Sequence, residues 1–183
     1  MKKIIEKNFL ESAKIIQESL ELSEQIEKCV TMISTSLKNG KKICLFGNGG
    51  SAADAQHFAA ELIGRYNMER ESIPAISFTT DTSIITSMSN DYSFDDIFSR
   101  QCEGLVNEDD IVIAISTSGN SKNVINGAIM AKKKKAKIIG LLGNAGGKLK
   151  ENVDIPIIVK SNITPRIQEV HRVIYHIICE LVE

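Results

Sequence analysis

Two stretches of the sequence combine imidazole, carboxylate and amide side chains at helical spacing. His57 and Glu61 are four residues apart in a helical pattern, so their side chains project from one face about 6 Å apart along the axis. Such a pair can chelate zinc, although the spacing taken alone favours an ordinary solvated helix surface. Gln168, Arg172 and His176 form a second polar stripe near the end of the chain.

A glycine-rich turn precedes the helix that carries His57. Its sequence, which we call the glycine loop, is Gly47-Asn48-Gly49-Gly50-Ser51-Ala52. The glycines allow close approach of a ligand to the backbone, and Ser51 can cap the helix or bond to an anionic or hydroxylated ligand. The loop lacks the Lys-Ser or Lys-Thr pair of a Walker loop, and its formal match to a dinucleotide pattern lacks a nearby strand-end acid, since Asp81 is too distant. A tight turn with a serine cap is the structural alternative.

A second polar loop follows the third apolar segment. It reads Ser116-Thr117-Ser118-Gly119-Asn120-Ser121, and we call it the serine loop. Hydroxyl groups, free backbone N–H groups and the positive end of a helix dipole suit a phosphate monoester without any lysine. An ordinary capped turn is the alternative. If both loops end strands of one parallel sheet, they should reach the same crevice.

These loops require a parallel sheet that is covered by helices on both faces. Apolar residues at spacings of three and four predict one long helix or two successive helices over residues 2–37, ended by Asn39-Gly40. Short apolar strands are then predicted at 43–46, 75–78, 111–115, 137–142 and 155–159. They alternate with a helix at 52–66, several helices across 82–105, a helix at 121–135 and a last helix from 164 onward. The expected fold is a five-stranded doubly wound α/β domain over residues 1–183, in which 1–38 form an added N-terminal helical segment.

The composition describes one globular domain and excludes several classes of partner. Of the 183 residues, 43% are hydrophobic and 25% are charged, and the net charge is -1. Without an excess of Lys and Arg there is no general electrostatic reason to bind nucleic acid or an anionic membrane. No apolar stretch approaches the roughly 18 to 20 residues that span a bilayer, and the first residues do not resemble a secretory signal. We therefore expect a cytoplasmic protein without nucleic-acid or membrane partners.

The cysteines and one histidine are expected to have structural roles. The four cysteines occur singly, without disulfide-framework or metal-binding spacing, and are expected to be reduced and buried. Cys179 lies near His176 in a helical pattern, which leaves a thiol nucleophile as the weaker alternative. His171 lies off the polar stripe and is expected at the surface or at a helix cap.

Four stretches together carry a family resemblance. They are GNGGSAADAQHFAAEL at 47–62, SNDYSFDDIFSRQ at 89–101, STSGNSKNV at 116–124 and TPRIQEVHRVIYHI at 164–177. The chain resembles the sugar isomerase (SIS) domain family and, within it, the bacterial phosphoheptose isomerases. The resemblance implies a flavodoxin-like SIS fold and isomerisation of sedoheptulose 7-phosphate to D-glycero-D-manno-heptose 7-phosphate. The product would supply heptose for lipopolysaccharide core or capsule.

The resemblance also implies roles for individual residues. It implies one zinc ion per subunit on His57, Glu61, Gln168 and His176. It implies substrate contacts for Asn48, Gly49, Gly50, Ser51, Glu61, Arg65, Asn90, Asp91 and Gln168, and phosphate contacts for Ser116, Thr117, Ser118 and Ser121. Pro165 stands where some members carry an acid, so no acid role is transferred to that position.

The implied reaction needs a base, an acid and stabilisation of an enediolate. Our hypothesis makes Glu61 the base and His176 the acid or proton shuttle, with zinc polarising the carbonyl if it is present during turnover. A carboxylate fully committed to zinc is a weaker base. Glu61 is therefore expected to bind the metal loosely, unless the metal organises the site more than it performs chemistry.

Spacing within the last helix suggests an oligomer. Gln168 and His176 are about 12 Å apart along a helix axis, whereas zinc ligands lie only about 2 Å from the metal. This separation favours a site at a subunit interface, with a part such as His176 supplied by a neighbouring chain. The apolar stripe of the N-terminal segment also needs a cover, which a partner's helix would provide. The resemblance implies a homotetramer.

Three other functions compete with this one. A SIS-fold protein that binds a sugar phosphate, or that associates with the bacterial replication initiator, needs neither Glu61 nor His176. A nicotinamide dehydrogenase is disfavoured because the serine loop would have no function in it. An isomerase of another phosphosugar is the third alternative, because loops that bind hydroxyl and phosphate groups do not distinguish sugars by the length of their carbon chain.

Overall fold

The computed structural model describes residues 1–183 and contains one five-stranded sheet. The strands are β1 (Ile43–Gly47), β2 (Ala75–Ser77), β3 (Ile111–Ser116), β4 (Lys137–Gly143) and β5 (Ile155–Val159). Neighbouring strands are all parallel, and their order across the sheet is β2-β1-β3-β4-β5. The chain changes direction across the sheet between β1 and β3, and sheets of this kind bind ligands beyond the carboxyl ends of the strands at that point.

Seven α-helices surround the sheet. They are α1 (Lys2–Glu18), α2 (Ser23–Lys38), α3 (Gly50–Ile63), α4 (Thr82–Asp91), α5 (Ile97–Leu105), α6 (Lys122–Lys133) and α7 (Thr164–Val182). A short 3-10 helix, Ser19–Leu22, separates α1 from α2, so the N-terminal pattern forms two successive helices. The predicted doubly wound α/β fold is confirmed. None of the helices combines the length and apolar character needed to cross a bilayer.

The strands are apolar on both faces because helices cover each face. In β3, Ile111, Ile113 and Ile115 pack into a core that includes residues of α2, α3 and α7. Val112 and Ala114 point to the opposite face and pack with α5 and α6. All five side chains are fully buried. A strand buried on both faces has no polar alternation, which explains the continuous apolar segments of the sequence.

The first helix is attached to this core only loosely. α1 contains no buried residue, whereas α2 contributes four. Phe9 is 75% exposed and Leu10 is 71% exposed. Arg166 of α7 connects α1 to the domain, because its guanidinium donates to the carbonyl oxygen of Asn8 and to the hydroxyl of Ser12. A single chain therefore leaves an apolar face of α1 open to solvent.

Two expectations for individual residues have opposite outcomes. His171 is fully buried, with Nε2 at 2.9 Å from the carbonyl oxygen of Leu142, so the surface position predicted for it is wrong. The residue lies off the polar stripe because it faces the sheet. The four cysteines are buried and free, as expected. Burial raises the pKa of the Cys179 thiol to about 12, which argues against a thiolate nucleophile.

Candidate active site

The glycine loop makes the turn from β1 into α3. Gly49 is the N-cap residue and has a φ of 55°, a conformation that favours glycine. Since α3 begins at Gly50, Ser51 lies buried in the first helical turn and not at the cap position. A Cβ atom at Gly50 would collide with the Nε2 atom of Gln168. This close approach brings Gln168 of α7 against the glycine loop.

A pair of asparagines ties the glycine loop to the start of α6. The Nδ2 atom of Asn48 donates to Oδ1 of Asn123 at 2.8 Å, and Nδ2 of Asn123 donates back to Oδ1 of Asn48 at 2.8 Å. Asn123 is buried, and its Oδ1 atom also accepts from the backbone N–H of Val124. The two loops therefore lie beside one another at the carboxyl edge of the sheet. The Asn48 amide uses one N–H and one lone pair in this pair, which leaves its other N–H, its other lone pair and its backbone for a ligand.

The serine loop has the hydrogen bonds of a tight turn before a helix. The Oγ atom of Ser116 accepts from the backbone N–H of Gly119 at 3.1 Å and lies 3.4 Å from Oγ of Ser121. Ser118 accepts in the same way from Asn120 at 3.1 Å. Ser121 is the N-cap residue of α6, but its hydroxyl makes no capping bond. A hydroxyl group at the positive end of the helix is therefore left for an anion.

The loop after β4 packs against the serine loop and forms hydrogen bonds with it. Gly119 has a φ of 65°, and a Cβ atom there would collide with the carbonyl oxygen of Gly146. The carbonyl oxygen of Gly119 accepts from the backbone N–H of Leu149 at 2.9 Å, and Nδ2 of Asn144 donates to the carbonyl oxygen of Thr117 at 2.9 Å. Close backbone contact thus fixes the shape of the serine loop.

His57, Glu61 and His176 form a cluster where α3 packs against α7. One ligand atom from each side chain lies within 4.8 Å of the other two. Nε2 of His57 is 2.8 Å from Oε1 of Glu61, and the rings of His57 and His176 have centroids 5.2 Å apart. All three side chains are partly buried. The cluster is assembled within one chain, contrary to the expectation that His176 comes from a neighbouring chain.

Buried polar groups surround the cluster on the α7 side. Nδ1 of His57 lies 3.0 Å from the hydroxyl of Tyr175. Burial raises the pKa of Tyr175 to about 12, so the hydroxyl keeps its proton at neutral pH. Burial also lowers the pKa of His176, with a smaller contribution from the adjacent His57, so the neutral imidazole is favoured. A neutral imidazole can bind a metal ion or exchange a proton.

The donor atoms of the cluster suit zinc. Two imidazole nitrogens and one carboxylate oxygen make up a common set of zinc ligands, and three protein ligands with a fourth position open are typical of catalytic sites. The three ligand atoms lie within 4.8 Å of one another, whereas atoms about 2 Å from one tetrahedral ion are about 3.4 Å apart, so modest side-chain rotation would bring the three onto one ion. Gln168 lies about 12 Å from His176 along the continuous helix α7, and its amide contacts Gly50. Of the four ligands that the resemblance implies, Gln168 is therefore the one that does not join the cluster within a single chain.

Three implied substrate contacts lie outside both loops. Arg65 follows the end of α3, is exposed, and has its Nε atom 3.6 Å from Oε2 of Glu69. Asn90 and Asp91 are exposed at the end of α4, where their side chains bond to each other at 2.8 Å. None of the three makes a hydrogen bond to the glycine loop or the serine loop within the chain.

Sequence analysis missed three buried polar residues at the site, Asp54, Asn123 and Tyr175. A signal existed for Asp54, because it lies three residues before His57 and therefore on the same face of α3. Asn123 lies in the first turn of α6, where an amide side chain often bonds to the backbone. Tyr175 gave no signal, since an aromatic residue among apolar helical positions indicates core packing.

Comparisons with known proteins show the family of the chain. Residues 8–143 match the SIS domain family. The chain is 51% identical over 184 residues to the phosphoheptose isomerase of Aliarcobacter butzleri, covering 100% of this chain and 97% of that protein. It superposes with a TM-score of 0.94 on the phosphoheptose isomerase of Neisseria gonorrhoeae, at 38% identity over 99% of this chain and 97% of that one. The TM-score is 0.95 for the phosphoheptose isomerase of Francisella tularensis, at 35% identity over 98% and 96% of the two chains. The chain belongs to the SIS domain family and, within it, to the phosphoheptose isomerases.

Proposed function

We propose that this isomerase converts sedoheptulose 7-phosphate to D-glycero-D-manno-heptose 7-phosphate. The observation that carries the proposal is the cluster of His57, Glu61 and His176, whose ligand atoms lie within 4.8 Å of one another. A protein that only binds a sugar phosphate needs no such grouping of a carboxylate with two imidazoles. The proposed setting is the cytoplasm, where the product would supply heptose for a bacterial surface polysaccharide.

The substrate is proposed to lie across the two loops. Its phosphate would bind the hydroxyl groups of Ser116, Thr117, Ser118 and Ser121 and the N-terminus of α6. Its hydroxyl groups would contact the glycine loop, Gln168, Arg65, Asn90 and Asp91. The reciprocal bonds between Asn48 and Asn123 support this arrangement, because they hold the two loops side by side.

Glu61 is the proposed base and His176 the proposed acid. The carboxylate of Glu61 takes a proton from C1 of the ketose, and the released electron pair forms the C1–C2 double bond of an enediol as His176 protonates the oxygen at C2. Glu61 then returns its proton to C2, and His176 takes the proton of the C1 hydroxyl, which leaves the aldehyde. A neutral imidazole carries one donor and one acceptor nitrogen, which suits both transfers. His57 bonds to one oxygen of Glu61 at 2.8 Å, which leaves the other oxygen for the substrate.

We propose one zinc ion per subunit, held by His57, Glu61 and His176. Gln168 is the fourth ligand that the resemblance implies, although within one chain its amide lies against Gly50 and apart from the other three. When bound, zinc would polarise the substrate carbonyl and stabilise negative charge on its oxygen. Coordination of Glu61 would weaken it as a base. We therefore assign the metal mainly to organising the site.

The proposed assembly is a homotetramer of single SIS domains, with active sites at subunit interfaces and residues 1–38 used in oligomerisation. The exposed apolar residues of α1 support it, since Phe9 is 75% exposed in the single chain. The positions of Arg65, Asn90 and Asp91 also support it, because none of them bonds to a loop of its own chain. A fully active monomer, measured by light scattering, would contradict sites shared between subunits.

Incubation with sedoheptulose 7-phosphate, with and without a chelator, tests the function. We expect aldose to form with the unchanged protein and kcat to fall about 10²- to 10⁴-fold in Glu61→Gln, which keeps the shape of the side chain but removes the base. Glu103→Gln is the matched control, because this exposed carboxylate pairs only with Arg100. Absence of conversion under both conditions would reject the isomerase activity. Full activity of Glu61→Gln would remove Glu61 from the mechanism.

A further inference from the structure

The second ring nitrogen of His57 has a partner with no part in the proposed proton transfers. Nε2 faces Glu61, whereas Nδ1 lies 3.0 Å from the hydroxyl oxygen of Tyr175. Tyr175 is completely buried, and its ring stacks on Phe58 with centroids 5.2 Å apart. Core packing of α3 against α7 therefore fixes the position of this hydroxyl group.

Two charged residues determine which hydrogen bonds the hydroxyl can make. Nε of Arg172 donates to the Tyr175 oxygen at 3.2 Å, and Nη2 of Arg172 donates to Oδ1 of Asp54 at 3.0 Å. The same Oδ1 atom lies 3.4 Å from the Tyr175 oxygen and can accept its hydrogen. Asp54 is only 1% exposed, so Arg172 and Tyr175 take the place of water around its carboxylate. The single hydroxyl hydrogen has two acceptors, Asp54 and His57.

We infer that Tyr175, held by Asp54 and Arg172, is a positioning residue that fixes which nitrogen of His57 is free to bind metal. The inference rests on the proposed metal binding by the cluster. A neutral imidazole has one proton. When the hydroxyl donates to Asp54, its oxygen accepts from Nδ1–H of His57, and Nε2 presents a lone pair toward Glu61 and His176. When the hydroxyl donates to Nδ1, the proton lies on Nε2 and bonds to Glu61.

In either tautomer of His57 the hydroxyl of Tyr175 occupies Nδ1, so Nε2 is the nitrogen left for metal, and the metal-binding tautomer with the proton on Nδ1 leaves no polar group unpaired. The hydroxyl oxygen accepts from Arg172 in both states, and its hydrogen changes partner as the imidazole proton moves. Ligand histidines commonly donate their other N–H to a carboxylate or carbonyl group, which orients the ring and strengthens binding. Here the hydroxyl of Tyr175 stands between the imidazole and the carboxylate of Asp54.

Tyr175→Phe tests the inference, because it removes the hydroxyl and keeps the ring that packs on Phe58. Metal-free protein is titrated with Zn²⁺ in competition with a chromophoric chelator. We expect zinc affinity to fall about 10- to 100-fold. Tyr92→Phe is the matched control and should bind zinc as the unchanged protein does, since Tyr92 is 68% exposed. Thermal unfolding of the metal-free variants shows separately whether packing is affected.

The imidazole ¹⁵N signals of the zinc-loaded unchanged protein provide a second measurement, which does not depend on the folding of a variant. We expect His57 to carry its proton on Nδ1 and the metal on Nε2. Coordination through Nδ1, or unaltered zinc affinity in a folded Tyr175→Phe, would overturn the inference while leaving the proposed isomerase in place. Absence of zinc binding by the unchanged protein would reject the proposed metal role, and the inference with it.

Discussion

The buried imidazole of His171 should make the stability of the fold depend on pH below neutrality. Burial lowers the pKa of His171 to about 4, from an ordinary value of 6.5. Nε2 lies 2.9 Å from the carbonyl oxygen of Leu142, whereas Nδ1 has no partner, so a second proton would be buried without an acceptor. As the pH falls through 6.5, the unfolded chain binds a proton that the folded chain does not bind. The total loss is about 3 kcal/mol of unfolding free energy, of which about 2 kcal/mol occurs between pH 7 and pH 5.

Urea unfolding of the unchanged protein and of His171→Gln, at pH 7 and at pH 5, isolates this contribution. Glutamine places an amide nitrogen near the position of Nε2, so it can donate to Leu142 but cannot titrate. Both proteins share the other titrating groups. Protein concentration is held constant and a chelator is present, so that oligomerisation and metal binding do not contribute to the difference. We expect the variant to lose about 2 kcal/mol less than the unchanged protein on acidification. Equal losses would refute the assignment of the pH dependence to His171.

Three further predictions concern the loops and the N-terminal helix. Gly119→Ala should lower the unfolding free energy, measured by urea unfolding, by at least about 2 kcal/mol, because alanine is strained at a φ of 65° and its Cβ would collide with Gly146. Unchanged stability would contradict the backbone contact. In a double-mutant cycle, Asn48→Ala and Asn123→Ala should each lower stability by about 1–3 kcal/mol, with a coupling energy of at least about 0.5 kcal/mol; additive effects would argue against the paired amides. Phe9→Glu should reduce the oligomer to smaller species in light scattering, and an intact tetramer would show that this face of α1 is not the interface.

Local patterns in the sequence were sufficient to predict the fold. Ile111 to Ile115 formed a continuous apolar segment, and burial on both faces of a parallel sheet is the physical reason for it. The spacing of three and four residues in the N-terminal segment likewise predicted the helices that form there. Helix boundaries were less accurate. α3 begins at Gly50 and not at Ala52, because the positive φ of Gly49 allows the turn to close earlier.

The sequence by itself also determined which loops and side chains to consider at the site. Glycine-rich and serine-rich turns after strands, and His57 with Glu61 on one helix face, are short-range features that depend only on backbone geometry. The four quoted stretches carried the family resemblance, which the comparisons confirm.

Only the tertiary structure decided how these parts meet. The Tyr175 hydroxyl lies beside His57 across a sequence separation of 118 residues, because α3 and α7 pack against each other on one face of the sheet. The bonds between Asn48 and Asn123 and the burial of His171 depend on packing in the same way. Residue type and spacing describe one element at a time, whereas contacts between distant elements are set by how the side chains of the whole core fill the space between them.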